Sequence, residues 1–516
     1  AARLRSLSDD EILLDRLELC LRCAKQSIEF GDANTGELFY RQILALVPDH
    51  HAALAGLGKV ALHTGHVADA VGLLRRACMI APDQMDYRVS LAQALHAAGR
   101  LDDAFDVLRL SLQTDGQNKD LLGLAVVVAS GLERNEEAAN YCARLLRLEP
   151  DNKEARLHLA RMQAVAGDFD QSEQNFQRVR ALDPDDPVAS FSLGCLALRR
   201  EDLQNGWKGF ARRFDAGLTR PQPMLDLPAL AFTQETMPDL SAERIAVRPE
   251  PGLKDQILFS RWLTRLRRDC DFLVGELDPR LIPLIDQTQA RLSLFPAGSL
   301  QVEEVRDLDI TSQISLGDLG GRYGRDITSL GAPVPYLRFD QAKAVMMRQQ
   351  YLNALGASRL IGLCWRGGTM SIPLAEWLPV LHTQDFGFVA LQAGPAHQEL
   401  HDVFDSIGKT AVRDPAIDPQ TNLRGFAAQI AAMDLVISVD EVPAHLAGAL
   451  GVPTLCLLPK VADWRWFDEG RQDSPWYPTM RLYRQPTDGA WLPIMAAIST
   501  ELDVLVAGDR QEGRDE

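Results

Sequence analysis

Three short loops hold the side chains of this 516-residue chain that are best placed for chemistry, and each follows a hydrophobic run that reads as a strand. The first is Pro249-Glu250-Pro251-Gly252-Leu253-Lys254-Asp255. Asp255 opens a helical pattern, so its carboxylate suits either a helix cap or a base that takes a proton from a bound hydroxyl. The second is Arg366-Gly367-Gly368-Thr369-Met370-Ser371. Its glycines allow a ligand close to the backbone and Arg366 suits an anion, although a plain tight turn uses the same residues. The third is Asp440-Glu441-Val442-Pro443-Ala444-His445, where a helix starts at once with Pro443 in its first turn. Free N–H groups and partial positive charge at such a start suit a phosphate. Asp440 reads as the cap of that helix or as a ligand contact. His445, one turn in, faces either a cleft or the core. Gln392 and Lys460 each follow a further strand and are ligand-side candidates by position alone.

These loops must be positioned by the elements around them. From Arg244 onward, strands (245–248, 271–276) alternate with helices (255–268, 279–286). A second run from Arg359 adds strands at 360–365, 388–392, 435–439 and 454–458, with helices at 373–381, 423–432 and 443–450. Two such runs predict two Rossmann-like α/β lobes facing a cleft. Ligands of such sheets sit outside the carboxyl ends of the strands, which is where all three loops fall.

The first part of the chain keeps a different rhythm. Pro48, Pro82, Gly116, Pro150 and Pro184 recur every 34 residues, and Gly31, Gly65, Gly99 and Gly167 keep the same register 17 residues earlier. Small residues at Ala24, Gly58, Ala92, Ala160 and Gly194, and at Ala70, Ala104 and Ala138, allow close helix crossings. That period is the tetratricopeptide (TPR) helix–turn–helix unit. It predicts an α-solenoid of about six units over residues 17–213, a scaffold suited to holding a polypeptide. Pro221, Pro223, Pro228 and Pro238 then mark a linker or wrapping strap. The expected division is a solenoid at 1–216, a linker at 217–242, an amino lobe at 243–340 and a carboxyl lobe at 341–516.

Composition excludes several classes. With 54 basic and 71 acidic side chains, the net charge of −17 argues against nucleic acid and against an anionic membrane surface. The longest uncharged run, 442–459, is too short and too proline-rich for a membrane span. Eight scattered cysteines, including Cys20 and Cys23 inside a helical pattern, read as small apolar side chains in a reducing cytoplasm.

The run Ser438-Val439-Asp440 through Ala444-His445-Leu446-Ala447-Gly448-Ala449-Leu450-Gly451 to Pro453, with Asp463-Trp464-Arg465-Trp466 and Asp473-Ser474-Pro475-Trp476-Tyr477-Pro478, resembles the carboxyl lobe of bacterial TPR-linked glycosyltransferases. These are relatives of the lipopolysaccharide heptosyltransferases and, more distantly, of the O-linked N-acetylglucosamine transferases. The resemblance implies a GT-B fold after the solenoid and an inverting transfer from a nucleotide-sugar donor, with no metal or other cofactor. Asp255 would be the catalytic base. Arg366, Gly367, Gly368, Thr369, Gln392, Asp440, Glu441, His445 and Lys460 would lie on the donor side. The acceptor would be serine or threonine of a cytoplasmic protein held by the solenoid. The flagellin glycosyltransferases, which use cytidine-monophosphate-linked nonulosonic acids, are similar in arrangement. Trp464 and Trp466 would cover the donor's base or the cleft, or else pack in the core or between lobes. The chain departs from the family at Glu441, where threonine or serine is usual, at Lys254, where glycine is usual, and in lacking a basic insertion after Gly368. Those departures leave open a scaffold whose transferase domain has lost turnover.

Overall fold

The computed structural model describes residues 9–217, 226–232, 237–286, 290–331, 335–368, 370–394, 396–468, 470–487 and 489–512. The chain divides into two compact units, Ala1–Pro184 and Asp185–Glu516. In the first, helices from Asp9–Glu29 to Phe169–Leu182 pack in successive pairs. Ala24, Ala70, Ala92, Ala104, Ala138 and Ala160 are wholly buried at the crossings. At Gly58 a Cβ would stand 2.7 Å from Leu74 Cγ, so glycine is needed there.

The turn inside each pair has one backbone solution. Gly31, Gly65, Gly99 and Gly167 have φ of 82°, 83°, 71° and 83°, the left-handed conformation that ends a helix. The 34-residue beat also lands on Glu133 at φ 57° and, in the second unit, on Glu201 at φ 66°. Glutamate is not a turn signal, so the glycine pattern misses these two corners. The packed helices impose the same turn regardless, at a strain of roughly 1–2 kcal/mol per residue.

The helices Pro187–Arg199 and Leu203–Phe210 belong to the second unit, with the sheets. Their backbones touch: a Cβ at Gly194 would lie 2.6 Å from Gly209 Cα. Trp207 is buried among Phe210, Phe259, Trp262, Trp464 and Trp476, with ring centroids 5.6 to 6.3 Å apart. Its Nε1 donates to the Gly324 carbonyl at 2.6 Å. Just beyond, Arg213 donates from Nε (3.0 Å) and Nη2 (2.6 Å) to Glu250 and from Nη1 to Asp318 (2.5 Å). Glu250 also accepts the Gly317 N–H at 2.8 Å. Of the first loop's two carboxylates, Glu250 is therefore consumed in holding this helix pair to the amino lobe.

The amino-lobe sheet holds β1 (Arg244–Arg248), β2 (Phe272–Leu277), β3 (Leu292–Pro296) and β4 (Ser312–Ser315), all parallel, in the order β3-β2-β1-β4. Part of the expected strap, residues 218–225 and 233–236, lies outside the described residues. In its described part Ala229 pairs with Gln313 along the outer edge of β4, which covers an otherwise open edge. The carboxyl-lobe sheet holds β5 (Arg359–Cys364), β6 (Phe386–Ala390), β7 (Ala411–Val412), β8 (Leu435–Val439), β9 (Thr454–Leu458) and β10 (Met480–Arg484). Its order is β10-β9-β8-β5-β6-β7, all parallel. Read from β7, that is the doubly wound order whose topological switch lies between β5 and β8.

Three helices differ from expectation. The helix expected at 255–268 is two, Leu253–Ser260 and Leu263–Asp269, and Gly252 rather than Asp255 is the first one's cap. Residues 279–286 hold only the 3-10 turn Ile282–Leu284, and 373–381 is a 3-10 turn (Leu374–Trp377) followed by Leu378–Leu381. Pro283 and Pro379 lack the N–H that a longer helix needs there.

Two outcomes test these forces. Glu133→Gly is expected to raise the solenoid's unfolding free energy by about 0.5–1 kcal/mol, the relieved strain less the entropy of glycine. Trp207→Ala is expected to cost the second unit about 3–5 kcal/mol in chemical denaturation.

Candidate active site

The β5 and β8 loops diverge at the switch point and leave a cavity of about 430 Å³, a size that suits a small ligand. Its floor is Cys364, Arg366, Gly367 and Gly368 after β5 and Glu441, Val442 and Pro443 after β8, with Gln392 after β6 at the side. Leu253 and Arg280 of the amino lobe also line it. Burial pushes the Cys364 thiol up to about 12, so it stays protonated and packs as a small apolar group.

The helix after β8, Val442–Leu450, is capped by Glu441, not by Asp440. Glu441 Oε1 accepts the Gly368 N–H at 2.7 Å, and Oε2 accepts the Val442 N–H at 3.4 Å. A Cβ at Gly367 would meet Glu441 Cγ at 2.7 Å. The close approach that the two glycines permit is thus made by the chain's own carboxylate. It sits where a helix start and a glycine loop present N–H groups to an anion.

Gln392 is a latch. Its Oε1 accepts the N–H groups of Trp365 (3.1 Å) and Arg366 (2.8 Å), and its Nε2 donates to the Arg366 carbonyl (3.1 Å). Arg366 lines the cavity but pairs with Glu399 at 2.7 Å, and Glu399 also accepts from Trp365 Nε1 and the Leu374 N–H. Thr369 lies outside the described residues. Lys460 is exposed and away from the cavity wall.

Asp440 and His445 form a neighbouring cluster on the core side. His445 is 1% exposed, with Nε2 3.2 Å from Asp440 Oδ1 and Nδ1 2.9 Å from the Tyr477 hydroxyl. Its ring packs on Trp466 at 5.3 Å, and Trp464 and Trp466 are both core side chains. Burial alone would raise the Asp440 carboxyl. The His445 hydrogen bond and the Lys254 ammonium outweigh it and hold the group well below the usual carboxylate range. Lys254, which departs from the family glycine, reaches across from the amino lobe to the Asp440 carbonyl at 3.1 Å.

Asp255 sits in the first turn of Leu253–Ser260, two residues beyond a wall residue of the cavity. Its Oδ1 accepts from Arg465 Nε at 2.8 Å and from Arg465 Nη2, while Asp463 takes Nη1 at 2.5 Å. Burial works against the Arg465 cation, yet Asp255 and Asp463 keep it charged and raise its pKa. Among the described residues nothing bonds to Asp255 Oδ2, so that oxygen keeps its lone pairs. Arg280 is a further side chain that sequence reasoning missed. It is held by Asp278 (2.6 and 2.8 Å) and by the Gln420 carbonyl (2.7 Å). Arg465 lay within a recognised run, but its partner is 210 residues away and no local signal names it. Among the described residues no group of three His, Cys, Asp or Glu side chains is placed to hold a metal, and no helix is long and apolar enough to cross a membrane.

The Asp440 cluster has a pH signature. A carboxyl depressed in the folded state contributes stability that is complete above the unfolded pKa of about 4 and is lost as pH falls toward the folded value. The stability gap between wild type and Asp440→Asn is therefore expected to be flat above about pH 5 and to shrink below about pH 4 in denaturation titrations.

Comparison with known proteins places these features. Residues 375–462 match the glycosyltransferase family 9 (heptosyltransferase), a segment that includes Gln392, Asp440, Glu441, His445 and Lys460. Residues 37–84, 73–119 and 129–191 match tetratricopeptide repeats. Protein FlbA of Caulobacter vibrioides is 25% identical over 498 residues, 92% of this chain and 82% of FlbA. The TPR repeat-containing protein YpiA of Bacillus subtilis is 25% identical over 182 residues, 35% of this chain and 42% of YpiA. Among solved structures, a tetratricopeptide repeat protein from Parabacteroides merdae covers 39% of this chain and 80% of its own, at 16% identity and a TM-score of 0.35. YrrB, described as a TPR protein with an unusual peptide-binding site, covers 34% and 89% at 14% identity and a TM-score of 0.32. The chain thus joins a TPR solenoid to a parallel-sheet α/β region of GT-B type that carries a glycosyltransferase family 9 segment.

Proposed function

We propose that this chain is a metal-independent, inverting protein O-glycosyltransferase whose solenoid holds the acceptor protein. The observation that carries the reading is the cavity at the β5/β8 switch point, walled by both lobes, with Asp255 two residues beyond its rim. In this reading a nucleotide sugar fills the cavity and a serine or threonine hydroxyl attacks its anomeric carbon. The new C–O bond forms as the bond to the leaving phosphate breaks, and the electron pair stays on the phosphate. The hydroxyl proton passes to Asp255 Oδ2 while Arg465 fixes Oδ1. Arg280 and Arg366 are the cationic groups on the cavity wall for the leaving phosphate.

Glu441 narrows the donor. A carboxylate already seated on the Gly368 N–H repels a diphosphate more than a monophosphate, which favours a cytidine-monophosphate-linked sugar such as a nonulosonic acid. Flagellin is an acceptor of matching type, and the site of action is then the cytoplasm. A second reading, a scaffold without turnover, draws on the same contact, because Glu441 fills the N–H site that a donor phosphate would use.

Calorimetric titration of the full chain with CMP, UDP, GDP and ADP separates the two. Saturable binding of CMP in preference to the diphosphates is expected, and no binding of any nucleotide at millimolar concentration returns the chain to a scaffold. Asp255→Asn keeps an oxygen acceptor for Arg465, and it is expected to bind nucleotide within a few-fold of wild type while transfer falls about 10²-fold or more. A loss below about fivefold moves the proton to another group.

A further inference from the structure

We propose that a second cleft, on the amino lobe, binds a carboxylate-rich segment of a partner polypeptide. The cleft measures about 930 Å³ and shares no lining residue with the cavity at the switch point. It runs along residues 260–268 and is closed on the other side by 335–341. Four guanidinium groups line it, those of Arg261, Arg265, Arg268 and Arg338, against the single carboxylate of Asp286.

Among the described residues, three of the four guanidinium groups have no carboxylate partner. Arg261 is only 3% exposed, and its bonds go to the carbonyls of Leu258 (2.7 Å), Leu330 (2.8 Å) and Trp476 (2.5 Å) and to the Tyr336 hydroxyl (3.1 Å). Every one of those partners is neutral. Burial keeps the Tyr336 phenol protonated, since it raises that group further above its ordinary value. Arg265 likewise donates only to the Ser329 and Gly331 carbonyls, both at 3.3 Å. Arg268 is exposed and has no hydrogen-bond or ion-pair partner among the described residues. Only Arg338 has a carboxylate, Asp286 at 2.5 Å. A desolvated cation without a counter-charge is costly, and the cost falls when an anion arrives. In a chain of net charge −17, a concentration of positive charge in a low-dielectric groove is also a local focus for anions.

The layout favours a peptide over a compact phosphate. Arg265 and Arg268 lie about one helical turn apart on Leu263–Asp269, roughly 5 Å along its axis, so the charges are spread and do not converge on one point. The cleft has more than twice the volume of the switch-point cavity. Ile285, Pro335 and Phe339 add apolar surface to the same lining. A lining that combines guanidinium groups with apolar surface matches an extended chain bearing Asp or Glu among apolar residues, each carboxylate taking a planar guanidinium.

The test uses the full chain and a fluorescein-labelled nonapeptide of repeating Asp-Leu-Gly, read by anisotropy, with a Lys-Leu-Gly peptide and sodium pyrophosphate as comparisons. Saturable binding of the acidic peptide is expected, weakened by salt and lost about tenfold or more in Arg268→Glu, one charge-assisted contact being worth roughly that factor. Arg268 is exposed and has no hydrogen-bond or ion-pair partner among the described residues, so that variant should fold, with no more than the small loss that an acidic side chain in a helix's last turn brings. Arg265→Glu should act in the same direction, and if it fails to fold, Arg268→Glu alone decides. Absence of saturable peptide binding overturns the proposal, as does binding that Arg268→Glu leaves unchanged. Pyrophosphate binding that depends on Arg268 without any peptide binding assigns the cleft to a small phosphate ligand and overturns it too.

Discussion

The ion pair between Arg465 and Asp255 sets the geometry of the second unit's cleft. Arg465 comes from the carboxyl lobe and is largely removed from solvent, so it requires counter-charge. It takes one carboxylate locally, Asp463, and one from the other lobe, Asp255. Lys254 reaches Asp440 and Arg280 reaches the Gln420 carbonyl, so three cations cross between the lobes close to the cavity. A base candidate is usually imagined as a lone carboxylate facing a substrate. Here one oxygen of that carboxylate is held by Arg465, and the other accepts no hydrogen bond among the described residues. The same pair ties the orientation of Asp255 to the relative position of the lobes.

Two glutamates occupy comparable places in the two lobes and have different consequences. Glu250 follows β1 and Glu441 follows β8, and each accepts an N–H from a neighbouring strand's loop, Gly317 for one and Gly368 for the other. Glu250 is buried with a full guanidinium partner, Arg213, so it is a structural anchor and is unavailable to a substrate. Glu441 lines the cavity and is held by N–H groups alone. An N–H pair binds a carboxylate less firmly than a buried cation does. An incoming anion therefore competes with Glu441 on terms that it does not have with Glu250.

The helix pair 187–210 shows how a repeat changes its role without changing its pattern. It keeps the 34-residue corner at Glu201 and the small-residue crossing at Gly194. Yet Trp207 and Phe210 enter the same aromatic cluster as Trp262, Phe259 and Trp476, and Arg213 extends that attachment with charge. Large flat side chains at positions that face a sheet domain, not another repeat, move the pair into the second unit.

What the sequence determined by itself was periodic or local. A 34-residue beat requires a helix pair with a fixed corner, and strands that are buried on both faces are continuous apolar runs, so β5, β8 and β9 were legible almost to the residue. The loops that follow them were legible as well, because a strand meeting a helix start is a short-range signal. Tertiary structure decided the rest. The glutamates at 133 and 201 adopt a glycine's conformation because packing on both sides leaves the chain no alternative. The cap of the helix after β8 passed from Asp440 to Glu441 because His445 and Lys254 claimed Asp440, and Lys254 is 186 residues away. Arg366 turned to Glu399, His445 to the core and Asp255 to Arg465 for one common reason. A charged or polar side chain leaving water takes the best partner in space, and sequence distance puts no weight on that choice.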